Sequence, residues 1–212
     1  MKRLLCVPCA WFIVFACTAR ADTIYLNSNS TAADARQYNN LGADVLITPH
    51  SAWNPNGTGL WISYAATGVG GAVSPPNVAN PITMPGANPP TAAFFLNFFL
   101  PYSSNSGRLS VWADDTARVY VDSTMLIDAN PVQGSACANA PVSCTTANGA
   151  LLPLNGLAQG AHTLRFDVYQ RGAGPFGLQY EGYIDSVPEP ATFVPLAGGL
   201  AALYWRRRRR AV

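Results

Sequence analysis

Lysine is nearly missing from this chain of 212 residues: Lys2 is its one example, and charged residues of all kinds make up 11%. Between residues 22 and 190 five arginines (Arg36, Arg108, Arg118, Arg165 and Arg171) face all eleven carboxylates, a formal charge of −6. The +2 carried by the whole chain is therefore a property of its ends. With no basic stripe to neutralise phosphates, nucleic acid is excluded as a partner. Histidine is almost as scarce, with His50 and His162 alone, and no Gly-x-Ser-x-Gly elbow occurs. Asp114 and Asp115 are adjacent and cannot flank a glycosidic bond at about 5 Å or more, while Asp128, Asp167 and Glu181 have no motif around them. The chain therefore reads as a non-enzyme.

Long amphipathic helical patterns are lacking too, and so is a phosphate loop. The glycine-rich stretch from Arg171 to Gly177 has neither a following helix nor a Lys-Ser/Thr pair, so it reads as a hairpin loop. Of five cysteines, Cys6, Cys9 and Cys17 lie in the first segment, leaving Cys137 and Cys144. An even pair in an oxidising compartment predicts a disulfide. It would staple the short loop 138–143 and add about 2 to 3 kcal/mol by chain entropy. Zinc, the rival reading, would need a second thiolate pair or a nearby histidine.

The two ends carry addresses. Lys2 and Arg3, an apolar run over 4–16 and an A-x-A site at Ala19, Arg20 and Ala21 predict a signal peptide over 1–21. A lipoprotein reading at Cys17 would place bulky Phe15 where a small residue is preferred. At the other end, residues 187–212 hold Pro188, Glu189 and Pro190, then an uncharged stretch over 191–205, then Arg206, Arg207, Arg208, Arg209 and Arg210. As a helix the stretch reaches about 22 Å, a short transmembrane span of a core of roughly 30 Å. The arginines resist translocation, which keeps the C-terminus cytoplasmic and everything before Val187 outside. A plain C-terminal anchor is the alternative.

This order of tripeptide, apolar helix and basic cluster resembles the PEP-CTERM sorting signal. The resemblance implies processing by an exosortase, a membrane-embedded cysteine transpeptidase that cuts near Pro188, Glu189 and Pro190. The protein would then pass to the cell surface or exopolysaccharide matrix, after a transient stay in the inner membrane.

Residues 22–186, about 165 in all, suffice for one extracytoplasmic domain with one core. Apolar periodicity is mostly two, predicting strands over 23–26, 45–48, 60–65, 92–100, 108–113, 117–121, 124–128, 161–170 and 177–184. Segment 92–100 is apolar on both faces, as a central strand would be. The fold class that follows is all-β, a jelly-roll-type β-sandwich.

The segment from Val111 to Asp128, joined to 160–170, reads as strand, acidic loop, hairpin and returning strand. It resembles the protective-antigen-type sandwich of bacterial surface proteins and fungal adhesins, and galactose-binding-like sandwiches. Where that hairpin typically carries Asp-Gly, this chain has Asp122 and Ser123. In the family's calcium-dependent lectins two neighbouring aspartates, joined by a cis peptide, hold the ion that binds sugar hydroxyls. The resemblance therefore implies calcium, as a cofactor, at Asp114 and Asp115. Capping of a turn by the same carboxylates is the competing reading. Trp53, Trp61, Trp112, Tyr169 and Tyr180 are the rings for stacking on a sugar, with at least three expected in the core. Two functions remain: a surface or matrix binding module for exopolysaccharide or another glycan, and a structural matrix or membrane-anchored sandwich without a defined ligand.

Overall fold

Period-two alternation organises the whole domain. The computed structural model describes residues 21–28, 44–71, 90–129, 142–145, 149–170, 174–187 and 199. Within them lie ten strands: β1 (Asp22–Asn27), β2 (Val45–Leu46), β3 (Ile62–Ser63), β4 (Ala92–Leu100), β5 (Ser104–Asp114), β6 (Thr116–Val121), β7 (Thr124–Ile127), β8 (Ala150–Pro153), β9 (Gly160–Tyr169) and β10 (Gly177–Ser186). They belong to one compact unit, Ala21–Val187. The other unit, Met1–Arg20 with Pro188–Val212, falls outside the described residues apart from Gly199, which is helical. The predicted signal peptide and the sorting residues Pro188, Glu189, Pro190 and Arg206 to Arg210 thus lie outside them. No helix among the described residues is long and apolar enough to cross a membrane.

Two antiparallel sheets face each other. The larger runs β2-β3-β10-β5-β8 with β1 also on β10, and the smaller runs β4-β9-β6-β7. From β4 onward the chain alternates between them at every step but the β6–β7 hairpin, which stays in the smaller sheet, and this is the jelly-roll path. Strand β10 is the spine of the larger sheet: β5 lines one side along its length, while β1 takes residues 181–186 and β3 takes Leu178 on the other. Leu109, Val111, Leu178, Tyr180 and Ile184 from this sheet meet Phe94, Val119, Leu164, Phe166 and Val168 from the other. Phe166 stacks on Tyr180 with centroids 4.5 Å apart at 18°, joining the layers.

Three differences from the sequence reading have physical reasons. Among the described strands β4 is an edge strand and not a central one. Its outer face is apolar because Phe95 lies under the Arg165 guanidinium, while Phe99 is left 61% exposed. β8 escapes a pattern search because it is four residues long and ends in Pro153, which confines it to an edge. β5 begins at Ser104, four residues before the predicted start, because polar Ser104 and Ser106 pair with Ser186 and Asp185 of β10.

The hairpin between β6 and β7 forms at Asp122 and Ser123 without glycine. Asp122 takes φ 53° itself, and its carboxylate accepts from the Thr163 N–H at 3.0 Å and meets His162 Nδ1 at 2.9 Å. Aspartate tolerates the left-handed region through such local bonds.

Candidate functional site

Asp114 closes β5, and Asp115 alone links it to β6, so the chain passes from the larger sheet to the smaller through one residue. The Asp114–Asp115 peptide bond is cis, the geometry that the resemblance attaches to this pair. Backbone pairing fixes both neighbours: Asp114 lies opposite Gly177 of β10, and the Asp115 N–H donates to the Tyr169 carbonyl at 3.0 Å. Gln170, the residue after β9, directly follows the backbone partner of Asp115.

Both carboxylates are buried, Asp114 at 4% exposure. Trp53 Nε1–H donates to Asp114 Oδ2 at 2.9 Å. Asp114 Oδ1 and Gln170 Oε1 are buried with no hydrogen-bond partner among the described residues. Desolvation, reinforced by the hydrogen bond and charge of Asp115, pushes the Asp114 carboxyl up to about 8, with Trp53 pulling the other way. Two buried oxygens without donors are what a hard cation would satisfy, and amide and carboxylate oxygens are calcium ligands. Among the described residues no group of three or more His, Cys, Asp or Glu side chains comes together. A cation here would therefore draw on amide and carbonyl oxygens as well.

The wall behind the pair is aromatic. Trp53 and Trp61 pack with centroids 4.3 Å apart, and Trp112 and Cys144 complete their cluster. Polar bonds hold the early segment in place: Trp61 Nε1–H donates to the Asn54 carbonyl at 3.0 Å, and Asn54 Nδ2–H to Gln179 Oε1 at 2.9 Å. Gly149 lies so close to Trp112 that a Cβ there would sit 2.1 Å from its Nε1. Cys144 is disulfide-bonded; Cys137, its expected partner, lies outside the described residues.

All five rings considered for sugar stacking, Trp53, Trp61, Trp112, Tyr169 and Tyr180, are buried. They are core and wall, and none offers an open face. Gln170 is the residue that sequence reading passed over. It marks the end of a predicted strand and has no motif, and its link to the pair is the backbone bond of Asp115 to the preceding Tyr169.

Residues 186–209 match the PEP-CTERM protein-sorting motif, so the chain carries that sorting signal. No curated protein matches the chain. Among solved structures, it is similar to a family 35 carbohydrate binding module from Clostridium thermocellum, at 16% identity and TM-score 0.35, over 76% of this chain and 97% of that one. A cycloisomaltooligosaccharide glucanotransferase from Paenibacillus is similar at 16% identity and TM-score 0.35, over 76% of this chain and 18% of that one. A GH87 alpha-1,3-glucanase from Streptomyces thermodiastaticus follows at 16% identity and TM-score 0.22, over 48% and 22%.

Proposed function

We propose that this chain is an exported binding module, handed to the cell surface or exopolysaccharide matrix by an exosortase, whose sandwich holds calcium at Asp114, Asp115 and Gln170. The observation that carries the calcium reading is the buried Asp114 carboxylate, whose Oδ1 faces no donor among the described residues. Leaving a carboxylate so buried costs several kcal/mol unless a proton or a cation neutralises it. Calcium held by few protein ligands keeps coordination positions for other oxygens, and vicinal sugar hydroxyls fill them. The ligand class that follows is a glycan, with exopolysaccharide the nearest source.

Calorimetric titration of the mature protein with calcium chloride tests the site. Saturable binding is expected, abolished by Asp114→Asn with Asp115→Asn and weakened at least tenfold by Gln170→Ala. Absence of binding at millimolar calcium in the folded protein overturns the reading.

Burial of all five candidate stacking rings favours a second reading, a structural matrix sandwich without a defined ligand. A glycan screen with and without calcium separates the two, since only the binding module retains a sugar in an ion-dependent way. The sorting half rests on the motif over 186–209. It predicts surface protein that ends near Pro188, Glu189 and Pro190, and mass spectrometry finding Arg206 to Arg210 intact on that population would refute it.

A further inference from the structure

We propose that the edge of β4 that no described strand pairs is a self-association site, where two copies of the chain pair β4 with β4, antiparallel about Asn97, and join their smaller sheets into one of eight strands. Edge strands offer unpaired N–H and C=O groups, and proteins normally guard them with charge, proline, bulges or brevity. Most of the other outer strands are guarded, and β1, which pairs with β10 alone among the described strands, is shorter than β4 and opens with the charge of Asp22. β7 has four residues and a register shift against β6, β8 has four and ends in Pro153, and β2 has two. β4 has nine residues, Ala-Ala-Phe-Phe-Leu-Asn-Phe-Phe-Leu, without charge or proline, and runs unbroken along β9, its one strand neighbour among the described residues.

The sequence of β4 selects both the partner and the register. Ala92, Phe94, Leu96, Phe98 and Leu100 face the core, so the alternate residues take the other face, where Ala93 is buried, Phe95 half-buried and Asn97 and Phe99 exposed. A two-fold pairing that keeps core face beside core face must set residues of like parity opposite each other. With Asn97 opposite its own copy, Phe95 meets the second copy's Phe99, Leu96 meets Phe98 and Phe94 meets Leu100. Aromatic rings then lie across from one another, a favourable cross-strand pair. The polar residue meets its own kind. Asn97 Oδ1 accepts from Thr163 Oγ1 at 2.7 Å, and its Nδ2 donors serve the second amide. Sliding either copy by two residues sets Asn97 against a phenylalanine, which strands the amide. Phe99, largely exposed in the single chain, becomes covered. The contact is at the small end of stable interfaces, so the dimer depends on concentration.

Cysteine cross-linking on the full chain tests the register. Opposed strand residues have Cα atoms about 4.5 to 5.5 Å apart, within disulfide reach. The variant Asn97→Cys is therefore expected to give a dimer on a non-reducing gel of the exported protein. Phe99→Cys alone is not, because its two copies lie about 13 Å apart along the strands. Equal cross-linking from Tyr25→Cys, at an exposed site on the other sheet, would mark random collision and overturn the proposal, as would no cross-link in folded Asn97→Cys. Sedimentation of the unsubstituted protein guards against a misfolded variant. It should dimerise with rising concentration, and Phe99→Lys should weaken that at least tenfold; a monomer throughout overturns the proposal.

Discussion

Arg118 is 1% exposed on the outer side of the smaller sheet, where a guanidinium is tolerated only with its donors engaged. It pairs with the half-exposed Asp128, donates to the Tyr169 hydroxyl at 2.9 Å and lies 5.3 Å from that ring. Asp128→Ala removes the one carboxylate bonded to it among the described residues and leaves a buried cation poorly compensated. A loss of about 3 kcal/mol in urea unfolding is expected. Asp128→Asn, which keeps an acceptor oxygen, should lose less than Asp128→Ala. Nothing in the alternation of Arg118 with Val119 distinguished this arginine from a solvated one. Its burial is set by tertiary packing, and a period-two pattern reports only which face a side chain takes. The same holds for Gln170, whereas the Asp114 and Asp115 pair stood out because adjacent carboxylates repel and need a reason to coexist.

At the scale of elements, strands with one clean apolar face were legible from their residues. The alternation of Leu164, Phe166 and Val168 with Thr163, Arg165 and Asp167 placed β9 correctly, and the uninterrupted apolar run placed β4 to the residue. What could not be read was neighbourhood. An all-apolar strand implies two covered faces but not two paired edges, which is why β4 looked central. Close sheet contacts also leave little trace in one sequence. A Cβ on Gly182 of β10 would lie 2.4 Å from the Arg108 carbonyl oxygen of β5. Gly182→Ala must part the two longest paired strands of the larger sheet, and a loss of about 2 to 3 kcal/mol is expected. Gly156→Ala is the informative comparison. It has open space for a Cβ, but its φ of +76° makes the cost a backbone one of about 1 kcal/mol. Thermal unfolding of the two variants should rank them in that order.

For the metal-free molecule, stability is expected to fall as pH rises: the Asp114 carboxyl, pushed up to about 8, contributes across that range, and two further groups act beside it. Burial raises the Asp44 carboxyl from 3.8 to about 6, so between those values the folded state holds a proton that the unfolded chain has lost. Stability therefore drops across that window, by about 2 to 3 kcal/mol, and stays down above it. For His162 burial opposes the charge, but the Ala158 carbonyl and the Asp122 carboxylate outweigh it and raise the imidazole above 6.5. Its contribution is complete below that value and lost as pH climbs through the raised one. In an Asp114→Asn background, denaturant unfolding from pH 4 to 9 should show both remaining slopes, with Asp44→Asn removing the acidic one and His162→Gln the neutral one. A profile flat from pH 4 to 9 would contradict both assignments.

The zipping of β1 onto the last residues of β10 sets Asp22 against Ser186. The first and last strand residues of the described domain therefore lie side by side at one end of the larger sheet. β10 begins at Gly177, opposite Asp114, and ends at Ser186. Ten residues of strand separate these two places by about 30 Å. The carboxylate pair and the last described residues of the domain thus lie at opposite ends of β10, with the full height of the sheet between them.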